Sequence, residues 1–269
     1  PKKWFDLYPL DDVQLPAVMD NDLGDVPAYG QDLSWSSVAP RHSWIVEHGQ
    51  WEHAVQSYLA SISFVDAQVG TVLDALDASG KADETVIVLW SDHGFHLGTK
   101  ERWGKRSLWE AGTKVVMSVV APGKPGDQVC FSPTGLIDLY PTLNELCSLS
   151  EMEGLEGHSL VPLLEDKAAT WEWPALTTFG QNNHGVRTER WRYITYADGS
   201  EELYSRLKDP NEFVNLIGEP GMDGVVKKMR RHLPEVNVVM APGSANLDAR
   251  PGSAPEIEAD RSRRERRGK

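Results

Sequence analysis

The sequence predicts an α/β fold on three observations. Residues 51–78 place Val55, Leu59, Ile62, Val65, Val69, Val72 and Leu76 at helical 3-4 spacing, which reads as one long amphipathic helix. Residues 86–90 (VIVLW) are apolar on both faces, the pattern of a strand buried inside a sheet. A second apolar run, Val115–Val120, is stopped by Ala121-Pro122-Gly123. A helix passing through Ser79-Gly80 into a buried strand is half of a βαβ unit.

The rest of the chain can be taken in order. Residues 1–42 are rich in Pro, Asp, Leu and Trp with little periodicity and read as extended connections. After the second strand, 126–132 is a turn-rich link with room for one short strand, and 136–149 (LIDLYPTLNELCSL) is a helix. Asp138 at its start suits the positive end of the helix dipole. Pro141 is tolerable only near the first turn. Residues 155–164 read as an irregular packed connection and 165–170 as a polar linker. Strands follow at 177–180, 185–189, 191–197 and 202–204, with Asp198-Gly199 as a hairpin turn, and then a terminal helix at 221–233. From Pro234 onward no core-forming pattern remains, so 234–269 reads as a disordered tail.

Composition narrows the function. The net charge of −13 argues against nucleic acid as a partner, because such binding needs a basic surface to displace counterions. The exception is the last nine residues, which hold six basic residues and one Glu. Two cysteines, Cys130 and Cys147, have no zinc-type spacing and read as buried thiols, with a single bridge between them left open. No uninterrupted apolar run of about 18 residues appears, so no membrane span is expected. No leader is recognisable, but the chain begins at Pro1.

The chemistry-bearing stretch lies between the two apolar runs. The first run ends in Ser91-Asp92-His93-Gly94, an acid and an imidazole side by side with a glycine to turn the chain. Open α/β sheets bind ligands outside strand ends, so this is a candidate metal or catalytic corner. Lys105 follows His93 by twelve residues, in a loop rich in Trp, Arg and Lys. The same residues also fit a solvated loop in which Asp92 caps a turn.

Five ordered blocks resemble the formylglycine-dependent sulfatases of the alkaline phosphatase superfamily, with the iduronate-2-sulfatase-like and bacterial polysaccharide sulfatases nearest. They are QSYLASISFVDAQVGTVLDAL at 56–76, VIVLWSDHGFHLG at 86–98, WGKRSLWEAGTKV at 103–115, LIDLYPTL at 136–143 and HGVRTERWRYITYADGSEELY at 184–204. The likeness is collinear over roughly residues 1–233. It implies the C-terminal part of an alkaline-phosphatase-like sandwich, a mixed sheet flanked by helices, over 1–164. A small antiparallel-sheet subdomain with a terminal helix would occupy 165–233. Two residues depart from the pattern: Thr99 where Glu is usual, and Val116 where Pro is usual.

The resemblance also assigns roles. Asp92 and His93 are implied metal ligands, most readily for Ca²⁺, which prefers oxygen donors. Lys105 is implied to bind a sulfate oxygen or the leaving oxygen, where an ammonium offsets developing charge. His96 either lines the pocket or packs in the loop. Asn183 and His184 are candidate substrate contacts, whereas Arg187, Trp191 and Arg192 read as structural hairpin residues. The family's paired aspartates and its C-x-P-S-R-type motif, whose Cys or Ser becomes formylglycine, have no counterpart, since Cys130 sits in VCFSP and Cys147 in LCSLS.

The implied activity is hydrolysis of a sulfate ester on a small molecule or carbohydrate, in a periplasmic or extracellular setting. A phosphodiesterase or phosphonate monoester hydrolase on the same scaffold is the first alternative. A non-catalytic fragment or binding module is the second. This stretch alone is expected to be inactive, to hold metal weakly, and to leave the strand at 85–90 without its sheet neighbours.

Overall fold

The computed structural model describes residues 1–34, 39–150, 152–239 and 241. Short helices α1 (Lys2–Phe5) and α2 (Ala28–Ser34) occupy the segment expected to be loop-like, and α3 (His42–Glu47) starts at its end. The predicted long helix is α4 (Trp51–Ala78). Strands β1 (Ile87–Trp90), β2 (His96–Leu97) and β3 (Trp103–Gly104) follow, then α5 (Glu110–Thr113) and β4 (Met117–Val120). A 3₁₀ turn at Leu136–Asp138 leads into α6 (Leu139–Leu146), which places Pro141 in the first turn, as required. The connection expected to be irregular contains α7 (Val161–Glu165). Strands β5 (Ala175–Thr178), β6 (His184–Arg187), β7 (Trp191–Thr195) and β8 (Glu201–Ser205) precede α8 (Asp223–Arg230).

β1 pairs antiparallel with β4, Ile87 opposite Val120 and Trp90 opposite Met117, and among the described residues these two make a sheet by themselves. Burial on both faces of β1 was the expectation. Leu89 and Trp90 instead stand 43% and 52% exposed. Covering both faces takes layers on either side of a sheet, and the described residues supply one strand partner. The exposure is shared by α4, where Ile62, Val65 and Val72 face water and only Val55 and Ala60 are buried.

The expectation of no membrane span finds no support here. α4 is long and apolar enough to cross a membrane by length and composition alone. Searching for an unbroken apolar run overlooks it, because Ser, Gly, Thr and Asp interrupt the run without making the helix polar on average. Both cysteines are exposed and free, which corrects the reading as buried thiols.

The four strands β5 to β8 form an antiparallel meander in sequence order. The β7–β8 turn falls at Asp198-Gly199, where Asp198 Oδ1 accepts from the Ser200 N–H at 2.9 Å. Val186, Tyr193, Ile194, Leu203 and Tyr204 are fully buried. Alternation along the strands sends Tyr193 and Leu203 to one face, against Val226 and Met229 of α8. Ile194 and Tyr204 go to the other, against Val26, Leu33, Leu108 and Trp109. This core spans the expected division at 164/165. Gly185 lets the loop approach, since a Cβ there would stand 3.3 Å from the Leu108 carbonyl oxygen. The sheet therefore seats the 105–110 loop.

Pro234–Val239 carry no regular element, but Asn237 Oδ1 meets His184 Nε2 at 2.5 Å. The start of the expected tail is thus tied to β6. The rest of it, residue 240 and residues 242–269 with the basic end, lies outside the described residues.

Candidate active site

The corner after β1 is held by backbone. Ser91 N–H donates to the Val116 carbonyl at 3.1 Å, and Gly94 N–H donates to the Gly112 carbonyl at 3.0 Å. Gly94 is required there, because a Cβ would lie 2.2 Å from the Ala111 carbonyl oxygen. The turn leaves Asp92 with a side chain 80% exposed, its Oδ2 3.4 Å from His93 Nε2.

The imidazole has a defined tautomer. His93 Nδ1 lies 2.8 Å from the Gly94 carbonyl oxygen. A carbonyl only accepts, so Nδ1 carries the hydrogen and Nε2 of the neutral ring keeps its lone pair. Lys105 Nζ donates to that nitrogen at 2.5 Å. Asp92, His93 and Lys105 are thereby brought together, and all three line an open cleft of about 1270 Å³. The cleft walls come from 105–120, 124–136, β5 and β6, and include Glu110, Lys114 and Arg187.

His96, Asn183 and His184 are placed differently. None of the three is in the cleft lining. His96 is fully buried between Thr99, on Nδ1 at 2.9 Å, and Ser107, on Nε2 at 2.8 Å. Burial, with the cations Arg102 and Lys100 nearby, pushes its pKa down to about 3, so it is neutral. Thr99, the departure from the family pattern, serves as a hydrogen-bond partner of this ring. Asn183 bonds Phe179 O, Gln181 O and Ala197 N–H. His184 sits between Thr178 Oγ1 and Asn237. Each of these side chains braces the fold.

The sequence reading missed a charge network in and behind the cleft wall. Glu110 takes Arg187 Nε at 3.1 Å, Arg206 Nη2 at 3.1 Å and Arg192 Nη2. Glu212 takes Arg192 Nε at 2.7 Å and Arg206 Nη1 at 3.3 Å. Burial alone would raise the Glu110 pKa, but Arg192, Arg187 and Arg206 hold it at about 2. A signal existed: Arg187 and Arg192 are register partners across β6 and β7. Like charges facing one another on a sheet require a carboxylate between them.

The donors fit a hard divalent cation in kind. Asp92 offers carboxylate oxygens, and His93 offers an unprotonated nitrogen whose other N–H is anchored on a carbonyl, the usual support of a ligating histidine. Among the described residues no group of three or more His, Cys, Asp or Glu converges to hold a metal. A calcium ion takes about six to eight oxygens, so Asp92 and His93 by themselves would make only part of a shell. Cys130 lines the cleft, within Val129-Cys130-Phe131-Ser132-Pro133 rather than a formylglycine motif, and no step is assigned to it.

The class that emerges is an α/β scaffold that gathers an acid, an imidazole and a lysine in one open cleft. Known families make this specific. The sulfatase family model matches residues 17–149, and the C-terminal model for N-sulphoglucosamine sulphohydrolase matches residues 98–238. The chain belongs to the sulfatase family, within the alkaline phosphatase superfamily.

A sulfatase from Formosa agariphila is 39% identical over 88% of this chain and 47% of its own length. BT4656, solved in complex with its substrate D-glucosamine-2-N,6-O-disulfate, is 26% identical with a TM-score of 0.60, over 68% of this chain and 40% of that one. The phosphonate monoester hydrolase SpPMH from Silicibacter pomeroyi superposes with a TM-score of 0.74 at 23% identity, over 86% of this chain and 51% of that one, and shares the fold. The chain spans about half the length, or less, of these relatives.

Proposed function

We propose that the protein containing this chain hydrolyses a sulfate ester, with a sulfated carbohydrate as substrate. The observation that carries this reading is the meeting of Asp92, His93 and Lys105 in one cleft of a sulfatase-family chain. The sugar-sulfate substrate of BT4656 supports the carbohydrate class.

In this reading Asp92 and His93 hold a divalent cation, Ca²⁺ by donor type, together with ligands from outside the described residues. When bound, that ion supplies charge neutralisation at sulfate oxygens. Lys105 Nζ holds the His93 Nε2 lone pair in this structure; in this reading it yields that lone pair to the cation and turns its ammonium to the group being transferred, where negative charge grows on the leaving oxygen. The Nδ1–H bond to Gly94 fixes the ring of His93. Formylglycine is a feature of the family, and its position lies outside these residues.

The test uses the whole protein with an aryl sulfate and an aryl phosphonate monoester. Asp92→Ala and Lys105→Ala are each expected to lower kcat/KM for the sulfate by about 10²–10³-fold, the usual loss for one charge-stabilising group. Preferential turnover of the phosphonate ester would replace this reading with its superfamily alternative. An unchanged rate in Lys105→Ala would remove Lys105 from the chemistry.

A further inference from the structure

The buried network in and behind the cleft wall is unbalanced. Three arginines, 187, 192 and 206, meet two carboxylates, Glu110 and Glu212. Arg192 and Arg206 are almost fully enclosed, whereas the Arg187 side chain is 22% exposed and lines the cleft. An uncompensated charge is costly where water is excluded. Glu110 and Arg192 also border the cleft, and the charge is best offset at Arg187, the most exposed of the five.

Lys114 adds a second cation to the same opening. It stands four residues after Glu110, and its N–H donates to the Glu110 carbonyl at 2.8 Å. That spacing normally pairs a lysine with the glutamate. Here Glu110 is already taken by three arginines, and Lys114 is exposed, without a side-chain partner among the described residues, and in the cleft lining. The Lys114 carbonyl also packs where a Cβ on Gly94 would go, at 2.7 Å, so this residue abuts the Asp92–His93 corner.

We infer that Arg187 and Lys114 form a second anion subsite in the cleft, which receives a further sulfate or carboxylate substituent of the sugar whose ester sits at Lys105. This rests on the sulfated-carbohydrate reading above and deepens it: the substrate class becomes a sugar with at least two anionic groups. Arg187 offers a planar guanidinium with donors to spare beyond its bonds to Glu110 and the Thr188 carbonyl, and Lys114 offers a mobile point charge.

Calorimetric titration of the whole protein tests this with four probes: glucosamine, its 6-sulfate, its 2-N,6-O-disulfate, and glucuronic acid 2-sulfate. Both doubly anionic sugars are expected to bind about tenfold more tightly than the monosulfate. Selectivity for only one of them identifies the group the subsite takes. Lys114→Gln, at an exposed and unpaired position, should cut that preference to about threefold or less and leave the monosulfate affinity in place. Arg187→Lys keeps the charge near Glu110 and should lower the preference further.

Equal affinity for singly and doubly anionic sugars overturns the subsite. So does a Lys114→Gln loss shared equally by all probes. Aryl-sulfate turnover by the unsubstituted protein reports on the sulfatase reading separately: selective binding without that turnover sinks the activity and leaves the subsite standing.

Discussion

The two main sheets of this molecule are built to different standards of closure. The four-stranded sheet β5–β8 is covered on both faces, by α8 on one side and by 23–34 and 108–109 on the other. The β1–β4 ribbon has one partner per strand and exposes Leu89, Trp90 and Val120. Yet the ribbon ends at the candidate site, and the closed sheet holds none of the Asp92–His93–Lys105 cluster. The closed sheet acts as an anchor. With the 206–212 turn that follows it, it pins Trp109 through Glu202, Lys100 through the Glu212 carbonyl, and Glu110 through three arginines. The lysine loop is thus fixed from the C-terminal side, while the strand carrying Asp92 is left with open edges of the kind other strands complete.

That contrast predicts where substitutions hurt. Arg192→Ala is the largest, because it removes the side chain that bridges buried Glu110 and Glu212 and that donates to the Leu108 carbonyl. Urea unfolding should show a loss of about 3–5 kcal/mol, and a loss under 1 would mean that the network is dispensable to the anchor.

Leu203→Ala, at a fully buried position, should cost about 2–5 kcal/mol in the same measurement. Leu89→Ala on the ribbon should cost less than about 1 kcal/mol, since its side chain is already partly in water. Equal losses at the two positions would abolish the contrast between the sheets.

Acid should act on the loop seated on the anchor before it acts on the ribbon. The folded pKa of His96, about 3, lies below its ordinary 6.5. The unfolded chain therefore takes up a proton first as pH falls. The stability from this group is complete above pH 6.5 and is lost as pH falls from there toward 3. Glu110, at about 2 against an ordinary 4.5, adds a second loss below pH 4.5. The slope between pH 6.5 and 4.5 should approach about 1.4 kcal/mol per pH unit for the one proton. His96→Asn should flatten that window and leave the lower one, and an unchanged slope would show that His96 is not the responsible group.

Local pattern made part of this readable. The period of 3.6 in 51–78 fixed α4 to the residue, and Asp198-Gly199 marked the β7–β8 hairpin. The five family blocks located the corner at Asp92 and His93 and the lysine at 105. The ends of β4 were less legible. The apolar run starts at Val115, but pairing begins at Met117, because register against the four residues of β1 sets the length.

By itself, then, the sequence determined the fold class, the family and the identity of the three cleft residues, since these rest on periodicity and on motifs read along the chain. Only the tertiary structure separated Lys105 from His96, Asn183 and His184. All four are polar residues in candidate loops. Whether such a side chain meets a cleft or a carbonyl of its own fold depends on contacts between distant segments, such as Asn237 on His184 and Ser107 on His96. The same holds for Arg187 and Lys114. Their charge is plain in the sequence, but that Glu110 is shared by three arginines follows from β6, β7 and the 206–212 turn closing over one helix end.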